Sequence, residues 1–290
     1  MHTPVMLNEA LEYLAVRPDG IYADATAGLG GHTAAIAQRL TTGQVIALDC
    51  DGESLELARG ATQAWAERIR YHQAKFSELR TALASLGIEK LDGLVADLGV
   101  SRYQLTEPER GFSLTATGPL DMRMDRSQGM TAAGMANTTS ERELADLLYY
   151  LGEERRARRI ARAIIRARPI RDTLHLARVV ELAVPRTGRL HPATQTFMAL
   201  RRAVNRETEE LDALLVAAPD LVAEGGRIVA ITFMSLEDRQ VKVAFRELAR
   251  QGRARLLTKH VVRPGEQEVA INPASRSAKL RALEMKGQRG

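Results

Sequence analysis

The sequence predicts an α/β fold: a parallel, Rossmann-like sheet closed by an antiparallel strand pair, with an all-helical domain inserted into it. Three observations predict it. Short apolar runs alternate with helical patterns through the first hundred residues; a glycine-rich turn follows the first of those runs; and strand signal disappears between about residues 106 and 190 before resuming.

Taken in order, GIYADA (20–25), QVIALD (44–49), RIRYHQA (68–74) and LDGLVADLGV (91–100) read as strands, separated by segments rich in Ala, Leu and charge. That rhythm is the signature of βαβ units. In the middle of the chain Leu144, Leu147, Leu148 and Leu151 repeat at i, i+3, i+4, i+7, and Ala157, Ile160, Ala161 and Ile164 repeat the pattern after Gly152, so both stretches read as helices. Further on, ELDALLVAAPDLV (210–222) reads as a helix, GGRIVAITF (225–233) as a strand and SLEDRQVKVAFRELARQ (235–251) as a helix. ARLLTKHVV (254–262) and SAKLRALEM (277–285) read as the closing strand pair. The expected division is a core of residues 1–106 and 191–290 and an inserted helical substrate-recognition domain of 107–190.

Composition bounds the function. With 290 residues and 45 % apolar content the chain buries a sizeable core. No apolar run of about 18 residues exists to span a bilayer, and the first sixteen residues lack a secretion signal, so a cytoplasmic protein is expected. One cysteine, Cys50, forms no internal disulfide and has no ligand-spaced companions, so no metal is expected. The net charge is +5, and residues 101–202 alone carry 18 Arg against 11 Asp or Glu. The basic charge belongs to the middle of the chain, which suits a polyanionic partner.

DATAGLGGHT (24–33) places Gly28, Gly30 and Gly31 in a turn between a strand and a helix, where backbone N–H groups and a helix N-terminus surround a ligand. Asp49, at the end of the second strand, has the position of the acid that grips a ribose diol. Thr33 breaks the G-x-G-x-x-G dinucleotide pattern. Asp24 would repel a pyrophosphate but pairs well with the amino group of a methionine moiety near a cationic sulfonium, so S-adenosyl-L-methionine is favoured over a nicotinamide dinucleotide. Asp24 as a mere turn cap is the plainer alternative. Asp97 ends the fourth strand on the same carboxyl edge.

Eight collinear blocks are specific enough to carry a resemblance. HTPVMLNEAL (2–11), DATAGLGGHT (24–33), DLGVSRYQL (97–105), RGFSL with GPLDMRMD (110–125), GEERRARRIARAI (152–164), HPATQTFMALRRAVN (191–205), FMSLEDR (233–239) and SRSAKLR (275–281) together resemble the bacterial 16S ribosomal RNA cytosine-N4 methyltransferases that act on the small-subunit decoding region. The resemblance spans nearly the whole chain. It implies a Rossmann-like class I methyltransferase core using S-adenosylmethionine to methylate the exocyclic amine of one cytidine in 16S rRNA, within the assembled or assembling small subunit. It implies cofactor contacts at Gly30, Gly31, His32, Asp49, Phe76, Asp97 and Gln104. The chain departs from the family pattern at Arg102, Leu114 and Met234; the last replaces a histidine, so no base is assigned there.

A cytosine amine is a weak nucleophile, so positioning and hydrogen-bond acceptors matter more than a strong base. Asp97 and Ser101 are the candidate acceptors. Tyr103 is a candidate for stacking on the base, and Asp121 and Arg123 either border the target pocket or brace the insertion by a salt bridge. Residues 155–171 hold eight arginines and no acid. With Ile160 and Ile164 turned inward, Arg155, Arg158, Arg159, Arg162 and Arg166 cover the opposite helix face and suit RNA phosphates, with Arg276 and Lys279 as additional candidates. A DNA amine methyltransferase and a non-catalytic RNA-binding assembly factor are the competing readings, and the sequence leaves self-association open.

Overall fold

A computed structural model describes residues 4–186, 188 and 190–287. The first half of the core runs α1 (Leu7–Leu14), β1 (Ile21–Asp24), α2 (Gly31–Arg39), β2 (Gln44–Asp49), α3 (Gly52–Ala61), β3 (Ile69–Gln73), α4 (Leu79–Ser85) and β4 (Leu91–Asp97). Six helices follow: α5 (Arg102–Thr106), α6 (Ala132–Thr138), α7 (Glu141–Gly152), α8 (Ala157–Arg166), α9 (Thr173–Ala183) and α10 (Thr194–Val204). The chain then returns through α11 (Glu207–Leu221), β5 (Val222–Thr232), α12 (Ser235–Arg250), β6 (Ala254–Leu256), α13 (Glu266–Ile271) and β7 (Lys279–Met285).

The seven strands form one sheet in the order β3-β2-β1-β4-β5-β7-β6. β1 to β5 are mutually parallel, and β7 enters antiparallel between β5 and β6. This is the class I methyltransferase arrangement expected from the sequence. The direction of winding reverses between β1 and β4, the position at which open α/β sheets hold ligands.

Because successive strand side chains point to opposite faces, the sheet builds two cores by parity. Ile46, Leu48, Leu94, Ala96, Ile228 and Ala230 face Leu211, Leu214, Phe245 and Leu248 from α11 and α12. Val45, Ala47, Val95, Val229, Ile231 and Leu280 face Leu11, Leu14 and Ile36 from α1 and α2. The near-continuous apolar strands of the sequence are what a sheet covered on both sides requires.

The chain divides into two compact units, residues 1–99 with 208–290, and 100–207. The second is wider than the expected insertion of 107–190. Phe197, Ala199 and Leu200 of α10 are buried among Leu144, Leu148, Ile160 and Ile164 of α7 and α8, so α10 belongs to the helical unit. Its caps are written in the sequence: Ser140 and Glu143 form a capping box on α7, while Thr131 and Asp172 cap α6 and α9. The closing pair is also shorter than expected. β6 covers Ala254–Leu256 only, and Val262 makes a single bridge to Leu280.

Candidate active site

The turn after β1 is held by its own backbone. Ala25 N–H donates to Val95 O (2.9 Å) and Ala27 N–H to Leu48 O (2.8 Å), tying the turn to β4 and β2. Gly28 and Gly30 adopt left-handed φ of 51° and 84°, which side chains disfavour. A Cβ at Gly31, the first residue of α2, would lie 2.2 Å from Pro4 Cγ. The glycines therefore let the N-terminal segment and the α2 N-terminus close on one another.

Four ionisable groups meet at this edge. Asp49 accepts from Gly28 N–H (2.8 Å) through Oδ2 and from Asp51 N–H (2.9 Å) through Oδ1. Burial pushes its carboxyl up to about 6, against the lowering effect of those two bonds. Asp97 sits at the end of β4; its side chain is 22 % exposed, yet Oδ1 is buried with no hydrogen-bond partner among the described residues. Burial, and then the charges of Asp24, Glu268 and Glu237, push its carboxyl well above the usual range. His32 Nδ1 lies 3.9 Å from Asp97 Oδ2, and its Nε2 lies 3.2 Å from the Val5 carbonyl.

Asp24 corrects the sequence reading. Its carboxylate is wholly buried, accepts from Thr33 Oγ1 (2.6 Å) and Thr26 N–H (3.2 Å), and leaves no surface for a methionine ammonium. The turn-cap alternative describes it. Burial raises its pKa, with His32 and Thr33 pulling the other way. What remains is a buried Asp97 oxygen without a partner among the described residues and, at the end of β2, a carboxyl whose pKa burial raises to about 6. A buried acceptor left open in this way suits a ligand that brings a hydrogen-bond donor or a positive charge.

The sequence matches the MraW methylase family over residues 1–286. The chain belongs to that family. It is 63 % identical over 286 residues to the Ribosomal RNA small subunit methyltransferase H of Solibacter usitatus, covering 99 % of this chain and 100 % of that protein. The proteins of the same name from Acidobacterium capsulatum and Koribacter versatilis are 51 % and 49 % identical, each covering 98 % of this chain and, respectively, 98 % and 94 % of their own lengths. The methylase is S-adenosylmethionine-dependent. The donor's sulfonium and ammonium cations and ribose hydroxyls suit the orphaned Asp97 oxygen and the Asp49 carboxyl.

Phe76 opens a short 3₁₀ turn (Phe76–Glu78) beyond β3 and is half-buried against the sheet. Two residues of this site escaped the sequence reading. Glu268 of α13 accepts Met6 N–H at 2.7 Å, and Glu237 of α12 accepts the N–H groups of Phe233 and Met234, both at 3.1 Å. Glu237 lies inside the quoted FMSLEDR block; nothing in the spacing near Glu268 announces it. Arg276 is exposed in the turn Pro273–Ser277, and Lys279 starts β7 half-buried.

In the helical unit, Ser101 and Gln104 form the capping box of α5: Ser101 Oγ accepts Gln104 N–H (3.2 Å) and Gln104 Oε1 accepts Ser101 N–H (2.9 Å). Ser101, a candidate acceptor, thus spends one lone pair of its hydroxyl on this cap. Tyr103 is half-buried, with the guanidinium of buried Arg110 5.8 Å from its ring centre. Asp121 and Arg123 bind each other in a two-point pair (2.7 and 3.0 Å). Burial raises the Asp121 carboxyl, but the Arg123 bonds outweigh it and hold the pKa below the ordinary value. These two brace the loop rather than offer themselves to a base. Arg155, Arg158, Arg159, Arg162 and Arg166 are all exposed, while Ile160 and Ile164 are fully buried. Arg162 reaches Glu141 at 3.3 Å; the other four have no acidic partner among the described residues. No helix of the described residues is long and apolar enough to cross a membrane.

Proposed function

We propose that this protein transfers a methyl group from S-adenosylmethionine to the exocyclic N4 amine of a cytidine in the decoding region of 16S rRNA, acting in the cytoplasm on the small ribosomal subunit. The names of its relatives and the collinear sequence blocks support the substrate. The buried, unpartnered Asp97 Oδ1 at the winding reversal of the sheet is the observation that carries the chemistry.

When bound, S-adenosylmethionine supplies a methyl carbon made electrophilic by a sulfonium. Asp49 receives the ribose hydroxyls, Phe76 flanks the adenine, and Gly28, Gly30 and Gly31 allow backbone approach beside the α2 N-terminus. Asp97 directs the amine: an acceptor aimed at one N–H fixes the nitrogen's orientation, and a carboxyl whose pKa burial raises above the ordinary range is a better acceptor for the hydrogen that must leave. Gln104 and Ser101 cap α5, and Tyr103 of the helical unit is the residue assigned to stacking on a base turned out of the RNA. The exposed arginines of α8, with Arg155 before it and Arg276 and Lys279 in the core unit, bind phosphates.

The test is transfer of labelled methyl from S-adenosylmethionine to free 16S rRNA, to small subunits and to duplex DNA, with the modified base identified. Label in N4-methylcytidine of the rRNA supports the proposal. Label in DNA alone overturns it, and binding of RNA without any transfer favours an assembly factor.

A further inference from the structure

The N-terminal segment meets the start of α2 at two successive residues and α13 at the next. Pro4 lies over Gly31, the Val5 carbonyl meets His32 Nε2 at 3.2 Å, and Met6 donates its N–H to Glu268 Oε1 at 2.7 Å. Met6 is fully buried and holds a left-handed φ of 52°, a conformation an unbranched side chain adopts only when its surroundings impose it. Its N–H is taken by Glu268, 262 residues away in sequence. A carbonyl only accepts, so a hydrogen bond to it requires a proton on His32 Nε2; Nδ1 of the same ring lies 3.9 Å from Asp97 Oδ2.

We propose that Glu268 is a positioning residue for methyl transfer: its grip on Met6 holds the Val5 carbonyl against His32, and so sets the ring that backs Asp97. The proposal rests on the cofactor reading given above. It adds a residue that touches neither donor nor base, and a defined histidine tautomer. No residue of α13 is fully buried and Glu268 is half-buried, so loss of its side chain removes a bond rather than a piece of core.

The experiment compares the wild-type full-length protein with Glu268→Ala and Glu268→Gln, by calorimetric binding of S-adenosylmethionine and by ¹⁵N NMR of the His32 ring at pH 8. Glu268→Ala should weaken donor binding about fivefold to tenfold, the scale of one lost hydrogen bond, and should abolish the Nε2–H signal. Glu268→Gln keeps an oxygen for Met6 N–H and should restore both. Wild-type affinity and an unchanged ring signal in Glu268→Ala overturn the proposal. So does a glutamine variant as impaired as the alanine one, or a wild-type His32 that carries its proton on Nδ1. Should the wild-type protein bind no donor, the cofactor reading fails, and the ring signal still tests the latch in the free protein.

Discussion

Asp49 titrates where donor binding can be followed across it. Burial holds its carboxyl at about 6, roughly two units above an exposed aspartate. A ribose hydroxyl donates to the ionised form, and protonation removes an acceptor, so the ionised form binds the donor and the protonated form does not. With a pKa of about 6, nine-tenths of the sites are competent at pH 7 and about one in eleven at pH 5, so the apparent Kd should rise about tenfold between those values. The perturbation is Asp49→Asn. It deletes the titration and also leaves one of the two N–H donors, Gly28 or Asp51, facing an amide NH₂, so affinity should fall at pH 8 by ~1–3 kcal/mol. Calorimetry at pH 5, 6, 7 and 8 on both proteins is the assay, with circular dichroism checking the fold at pH 5. The component that the substitution removes belongs to Asp49, whatever Asp97 adds. A wild-type Kd that stays level down to pH 5, or an Asp49→Asn protein with an undiminished tenfold rise, would refute the assignment.

Asp97→Asn keeps the shape of the side chain but not a basic oxygen pair, and methyl transfer should drop on the order of 10²-fold in a single-turnover assay; unchanged turnover would remove Asp97 from the chemistry. Replacing Arg155, Arg158 and Arg159 by Gln should reduce the slope of log K against log salt for RNA by about 2, from ~0.7 per phosphate contact on single strands. An unaltered slope would show that this helix face contacts solvent only. Gly31→Ala sets a methyl group 2.2 Å from Pro4 Cγ, so thermal unfolding should report a loss of ~1–3 kcal/mol and donor binding should weaken; a fully stable variant would mean that Pro4 is free to move.

The core was legible because its strands are buried on both faces. Runs such as QVIALD have one reading when both parities are apolar, and β2, β4 and β5 fall where those runs stand. The acids at their carboxyl ends were legible for the same reason, since strand ends fix Asp49 and Asp97 on one edge. What lay hidden was partnership. Asp24 and Thr33 are nine residues apart on different elements, and only the fold shows that the hydroxyl takes the carboxylate. The edge of the helical unit was missed because α10 has the same amphipathic pattern whether it covers a sheet or other helices. α13 was missed because six residues between Gly265 and Asn272 present no apolar stripe, so Glu268 had no recognisable setting.

The order in which strands join the sheet has a consequence for synthesis. β4 waits for β5 until residues 100–207 have been made, and β5 has its second neighbour only when residues 279–285 appear. Glu268 is likewise made long after the turn it helps to secure. A nascent chain arrested before that point exposes an unpaired edge of apolar strand, which invites aggregation or chaperone capture, and lacks the grip on Met6. The sheet around β5 is therefore completed only once residues 279–285 have left the exit tunnel.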